Sequence, residues 1–264
     1  MKIDLTGRKA IVTGSTAGIG RAIAEGLALA GASVVINGRT EERVATALRE
    51  LRAKFTDAAF IGVTADLATA EGSEALVAQV PDADILVNNV GTARLNNFFD
   101  QTDDEWLDLF QLNVMSGVRA ARHYVPKMVA RGRGRVVFIS SESGLNIPRE
   151  MIDYGVSKTA MLGVSRGLAE LVAGTGVTVN AVLPGPTNSE ILSNWMKATA
   201  QEQGITQDEA EQQFLKTMRP TTLINRFATT EEVANMVVYA CSDQASATTG
   251  AALRVDGGVL RSIA

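Results

Sequence analysis

Tyr154 and Lys158 stand four residues apart in Tyr154-Gly155-Val156-Ser157-Lys158, a spacing that puts a phenol and an ammonium on one face of a helix. A phenol ordinarily holds its proton to about pH 10, so exchanging it near neutrality needs roughly 4 kcal/mol of differential stabilisation. A close lysine cation has the right sign to supply much of that. Taken alone, such a pair is more often a surface or packing contact, so its weight depends on what else the chain carries. Gly14-Ser15-Thr16-Ala17-Gly18-Ile19-Gly20 follows an apolar run and opens a helical pattern. Glycines at such a turn let backbone N–H groups of Ser15, Thr16 and Ile19 approach a pyrophosphate at the positive end of the helix dipole. The spacing G-x-x-x-G-x-G is neither the G-x-G-x-x-G fingerprint nor the Walker form. Further on, Asn37-Gly38-Arg39 falls where a dinucleotide fold senses the adenosine ribose. An acidic residue there would accept from a 2′-hydroxyl, whereas the Arg39 guanidinium can grip a 2′-phosphate. The expected cofactor is therefore NADP(H) rather than NAD(H), with about a ten- to hundredfold preference from one such contact. The bland alternative pairs Arg39 with Glu41 or Glu42.

Those residues need a scaffold that delivers them to one place. Short β-branched runs at 10–13, 33–36, 60–63, 85–87, 135–139, 177–182 and 253–255 read as about seven strands. They are continuously apolar rather than alternating, as strands covered by helices on both faces should be. Helical patterns at 18–29, 41–53, 71–79, 103–130, 153–173 and 231–240 lie between them. The fold class is thus α/β, a doubly wound parallel sheet of Rossmann type with right-handed crossovers. No linker, repeat or low-complexity tract divides residues 1–264, which read as one domain. Residues 187–229 lack a strand signal and carry helical patterns around 191–200 and 208–218. They are expected to form a lid between the sixth and seventh strands, beside the ends where such sheets bind ligands. Trp195, Met196, Phe214, Leu215 and Met218 give this segment an apolar face; such a stripe is more often core, but where part of it roofs the pocket it points to a hydrophobic or bulky substrate.

Composition narrows the partners. Of 264 residues, 46% are hydrophobic and 20% charged, which disfavours disordered and fibrous classes. Twenty-five basic against 29 acidic residues leave a net charge of −4 and no basic stripe, so nucleic acid and anionic membranes are not expected partners. One cysteine, Cys241, and one histidine, His123, supply neither a disulfide nor a Cys/His zinc site, and no metal is expected. His123 lies roughly three turns past Asn113 and reads as a packing or exposed residue; Cys241 reads as an inert core thiol. Asp4, Arg8 and Lys9 interrupt any early apolar stretch, so the expected location is the cytoplasm.

Taken together, these residues closely resemble the short-chain dehydrogenase/reductase family over essentially the whole chain. Thr13-Gly14-Ser15-Thr16-Ala17-Gly18-Ile19-Gly20 matches its T-G-x-x-x-G-x-G motif, and Tyr154 with Lys158 its Y-x-x-x-K motif. Asp66, Asn88-Asn89-Val90-Gly91, Asn113, Ser141 and Pro184-Gly185 follow in the family's order. Val90 departs from the alanine of the family's N-N-A-G, adding two methyl groups beside the cofactor cleft.

The resemblance implies a catalytic tetrad of Asn113, Ser141, Tyr154 and Lys158. Ser141 would hydrogen-bond the substrate oxygen and Tyr154 would give it a proton while hydride arrives from the nicotinamide. Lys158 would lower the Tyr154 pKa and hold the ribose, and Asn113 would anchor a water linking Lys158 to solvent. Ser140 competes with Ser141, but strand alternation points only one of them at the cleft, and the family's offset to Tyr154 favours Ser141. The resemblance further assigns Asp66 and Leu67 to the adenine, Asn88 and Gly91 to the ribose and central turn, and Pro184, Gly185 and Thr187 to the nicotinamide carboxamide. Capping of the next helix is an equal alternative for Asp66. The activity implied is NADP(H)-dependent interconversion of a carbonyl, with 3-oxoacyl-type ketones among the candidates, and a secondary alcohol. The rivals are an NAD-dependent alcohol dehydrogenase working oxidatively and a non-catalytic dinucleotide-sensing module. The family's usual assembly implies a homotetramer, with helices 103–130 and 153–173 and residues 255–258 at interfaces.

Overall fold

The apolar runs pair into one parallel sheet in the order β3-β2-β1-β4-β5-β6-β7 in a computed structural model that describes residues 2–263. The strands are β1 (Lys9–Val12), β2 (Ser33–Gly38), β3 (Phe60–Thr64), β4 (Ile85–Asn88), β5 (Gly134–Ile139), β6 (Val177–Pro184) and β7 (Ala252–Val255). The helices are α1 (Gly18–Leu29), α2 (Glu41–Lys54), α3 (Ala70–Gln79), α4 (Asp103–Phe110), α5 (Ser116–Ala130), α6 (Ile152–Leu171), α7 (Glu190–Gln203), α8 (Gln207–Met218) and α9 (Thr230–Ala240). Each expected strand is present, because a strand buried on both faces must be apolar at every position.

Successive β1 residues serve opposite faces of the sheet. Ala10 and Val12 enter the layer built with Ile23 and Leu27 of α1, Leu51 of α2 and Val233 and Val237 of α9. Ile11 enters the other, with Leu76 of α3, Tyr124 and Met128 of α5 and Met161 of α6. A fully buried Leu or Ile contributes about 1.5–3 kcal/mol, so the two layers fix the sheet between them. Tyr124 tolerates full burial because its hydroxyl donates to the Val80 carbonyl at 2.6 Å. Cys241, closing α9 in the first layer, is buried and its thiol is pushed up to about 12 by desolvation. The sheet reverses winding between β1 and β4, since β1 pairs with β2 on one side and with β4 on the other. At such a switch point the loops beyond the strand ends part and leave a crevice.

Two expectations change. The helix expected over 103–130 is interrupted by a π-helical turn at Gln111–Met115. There the Asn113 side chain leaves the helix pattern to bond the Thr92 backbone. The apolar stripe of residues 191–218 is mostly core: Met196, Ala200, Ala210, Leu215 and Phe227 form a separate cluster that holds α7 against α8. Among the described residues no helix is long and apolar enough to cross a membrane, and no group of three or more His, Cys, Asp or Glu is placed to hold a metal ion.

Candidate active site

A cleft of about 720 Å³ runs across the switch point, from Arg39 at one end to Tyr154, Glu142 and Arg219 at the other. Its floor is the turn after β1. Gly14 adopts φ +62°, a left-handed conformation that disfavours any side chain, and a Cβ there would come within 3.1 Å of Val90. At Gly20 a Cβ would meet the Gly14 carbonyl and the Asn89 amide at 2.4 Å. This turn therefore exists only with bare backbone, and the N-cap Ala17 leaves the first N–H groups of α1 without a side-chain cap. Uncapped N–H groups of a 12-residue helix at a groove floor are what a pyrophosphate requires. The residues present fit a bound dinucleotide.

Asn37 and Asn89 stitch this floor together, though sequence reading passed over both as ligand-site residues. The Gly14 N–H donates to Asn37 Oδ1 at 3.1 Å, while Asn89 Nδ2 donates to the Thr13 and Gly14 carbonyls at 2.8 and 3.0 Å. Gly14, Thr16, Gly18, Ile19, Gly20, Gly91, Pro184, Gly185 and Thr187 all line the cleft. Four of the expected cofactor-binding residues do not. Ser15 is buried, donating its hydroxyl to Val12 and accepting from the Asn37 N–H. Asp66 turns back on its own loop, accepting from the Ala68 N–H at 3.1 Å, and Leu67 is core. Asn88 is buried beneath Gly117, with neither side-chain polar atom finding a partner; the adjacent Asn89 and Ala65 take the positions facing the cleft.

At the ribose end Arg39 is exposed to the cleft and forms no pair with Glu41 or Glu42. Arg43, one turn into α2, also lines it and reaches Glu190 at the start of α7 at 3.0 Å. Two guanidinium groups thus stand where one was read from sequence.

At the other end Tyr154 opens α6. Asp153, itself buried, accepts the Tyr154 N–H at 2.7 Å and side-chain donors from Asn96 and Gln101 at 3.1 and 2.7 Å. That carboxylate caps the helix start in place of an ordinary N-cap residue. Asn113 does not line the cleft but braces it from behind, donating to the Ser157 hydroxyl at 3.0 Å and accepting from the Thr92 N–H at 2.9 Å. Both serines line the cleft, and their hydrogen bonds differ. Ser140 donates to the Lys158 carbonyl at 2.8 Å and serves structure; Ser141 donates to Glu142 Oε2 at 2.5 Å beside Tyr154.

The electrostatics depart from expectation. Lys158 lies with Nζ 5.5 Å from the Tyr154 ring centroid, but Nζ donates to the Ile139 carbonyl at 2.9 Å. Burial lowers its pKa to about 8. Tyr154 is pushed up to about 12, first by burial and then by the Glu142 charge, with the Ser141 hydroxyl and Arg219 opposing. The lysine does not depress the phenol as expected. The phenol is held protonated at neutral pH, as an acid that donates must be.

Glu142 is the residue that sequence reading missed. It is buried with Arg219, whose Nε donates to Glu142 Oε1 at 2.7 Å. Seventy-seven positions separate the two, and nothing in either's neighbours announces the pairing. His123 stays away from the cleft, bonded to the Pro81 carbonyl at 3.0 Å.

Residues 8–200 match the family described as short chain dehydrogenase. The chain belongs to the short-chain dehydrogenase family. This dehydrogenase chain is 45% identical over 263 residues to the uncharacterized oxidoreductase YvaG of Bacillus subtilis, covering 100% of both. It is 34% identical to the 3-oxoacyl-[acyl-carrier-protein] reductase of Aquifex aeolicus, over 98% of this chain and 100% of that one. Among solved structures it is similar to L-sorbose reductase from Gluconobacter frateurii complexed with NADPH and L-sorbose, with TM-score 0.94, 35% identity and complete coverage of both chains. Seven parallel strands with helices on both faces are thus the framework of a short-chain dehydrogenase.

Proposed function

We propose that this protein is an NADP(H)-dependent oxidoreductase that reduces a ketone or aldehyde to an alcohol, with Asn113, Ser141, Tyr154 and Lys158 as its tetrad. The observation that carries the reading is one cleft with guanidinium groups at one end and a protonated phenol at the other, joined by a bare glycine floor. Arg39 and Arg43 would grip the 2′-phosphate, and Gly14, Thr16, Gly18, Ile19 and Gly20 the pyrophosphate. Gly91, Pro184, Gly185 and Thr187 would hold the nicotinamide half. A bound reduced nicotinamide would supply the hydride to the carbonyl carbon. Tyr154 gives its hydroxyl proton to the carbonyl oxygen and regains one from solvent. Lys158, fixed by the Ile139 carbonyl, keeps a positive charge beside the ring to stabilise the phenolate as it forms,. The NADPH complex of L-sorbose reductase supports the same cofactor here. Residues 190–218, with Trp195 and Phe214 on the cleft, would act as its lid. Arg39 and Arg43 at the ribose end favour this reading over the NAD-dependent, alcohol-oxidising alternative,.

A ligand that binds only the folded state raises stability by RT ln(1 + [L]/Kd). Thermal unfolding with matched NADP+, NADPH, NAD+ and NADH should therefore show the phosphorylated pair stabilising more, and Arg39→Ala should shrink that margin about ten- to hundredfold in Kd. Preference for NAD(H) would refute the 2′-phosphate reading, and no response to any of the four would leave a fold without its cofactor. With 2,3-butanedione as an activated carbonyl, Tyr154→Phe should lose about 10²–10⁴-fold in turnover while NADPH binding persists. Near-normal turnover would sink Tyr154 as proton donor.

A further inference from the structure

We infer that Glu142 and Arg219 form a substrate subsite for a hydroxyl group adjacent to the reacting carbon, so that the substrate class is a neutral hydroxylated ketone. The inference rests on the carbonyl-reductase reading above and goes on to the part of the substrate that the tetrad does not touch.

The count of donors and acceptors is decisive. A carboxylate has about four acceptor positions and a guanidinium five donors. Glu142 spends one position on Arg219 Nε at 2.7 Å and one on the Ser141 hydroxyl at 2.5 Å. Arg219 spends its Nη1 donors on Glu150 Oε1 at 3.2 Å and on the Met218 carbonyl at 2.7 Å. Its Nη2 reaches only the Ser143 hydroxyl, at 3.5 Å. What both residues still offer the cleft they line is an acceptor beside a donor, next to the serine that faces the reacting oxygen. A hydroxyl uses both. An alkyl chain, as on a 3-oxoacyl thioester, uses neither and would only strip water from two charged groups. A carboxylate would meet the Glu142 charge, and the Arg219 guanidinium beside it is already shared between Glu142 and Glu150. Such a site discriminates through the cost of desolvating its own charged groups without a hydrogen-bonding group in return.

The test uses the intact protein with NADPH and four carbonyls of matched size: 1-hydroxy-2-butanone, 2-butanone, 2-oxobutanoate and 2,3-butanedione. The wild-type protein should prefer the hydroxyketone to both 2-butanone and 2-oxobutanoate by about tenfold or more in kcat/KM. Glu142→Gln, confirmed as folded by its NADPH-dependent thermal stabilisation, should cut the hydroxyketone-to-oxoacid ratio by about tenfold, because the charge that repels the acid is gone. Should that variant not fold, Glu150→Gln, whose side chain lies behind Arg219 and off the cleft lining, should shift the same ratio in the same direction. A wild-type preference for 2-butanone or 2-oxobutanoate, or ratios unmoved in the variants, overturns the subsite while leaving the reductase reading intact. Failure to reduce even the diketone overturns both.

Discussion

Lys158 holds a charge almost wholly out of water, and that has a price at every pH where the charge exists. Its folded pKa of about 8 lies below the ordinary 10.5 because of burial. The unfolded chain therefore binds this proton more tightly, and stability falls as pH drops from 10.5 to 8, with the penalty complete below 8. Its size is on the order of 3 kcal/mol. Lys158→Met should therefore be most favoured over the wild type near pH 6 to 7 and lose that advantage by about pH 10, as urea unfolding across the range would show. A pH-independent difference would mean the ammonium is solvated after all. The Tyr154–Lys158 pair was legible in sequence because its spacing is local, on one turn of α6. Glu142 and Arg219 were not, since only the folded chain brings α8 back over the loop after β5. The raised pKa of Tyr154 was not legible in sequence for a related reason. The Glu142 carboxylate beside it and the Ile139 carbonyl that holds Lys158 are tertiary facts.

At the scale of elements, strands were easier to read than interruptions. A strand of a covered parallel sheet spells itself in consecutive apolar residues, and β6 is buried along all of Val177–Pro184. The π turn at Gln111–Met115 has no such spelling, because its residues continue a good helical pattern on both sides. It arises from the pull of Thr92 on Asn113, and π bulges of this kind gather at functional sites. Helix starts are better marked. Thr102 with Glu105, Thr206 with Glu209 and Thr229 with Glu232 form complete capping boxes. Thr229→Ala should cost about 1 kcal/mol by removing the acceptor for the Glu232 N–H, seen as a lower unfolding midpoint with unchanged NADPH binding. A loss of cofactor affinity would instead show that α9 supports the cleft directly.

For the whole molecule, the outer faces carry apolar groups that the two layers do not use. Phe99 is 90% and Leu171 79% exposed, and along α6 a Cβ added at Gly163 or Gly167 would meet nothing within 4 Å. A smooth helix face of this kind admits close approach by another helix, as the expected homotetramer requires. Gly163→Leu puts its side chain into free space in a single chain, so it should leave the fold and cofactor binding in place while breaking assembly. Light scattering should then report a mass several times 27.9 kDa for the wild type and a smaller one for the variant. A wild-type mass of one chain would dismiss the assembly. The lone sulfur of Cys241 gives the same molecule an internal clock. It lies under the α1 and α9 layer with its thiol held protonated, so a thiol reagent in solution meets it only when that layer lifts from the sheet. The pace of labelling counts those openings one molecule at a time, and a ligand seated on the floor at the start of α1 would slow the count without touching the sulfur.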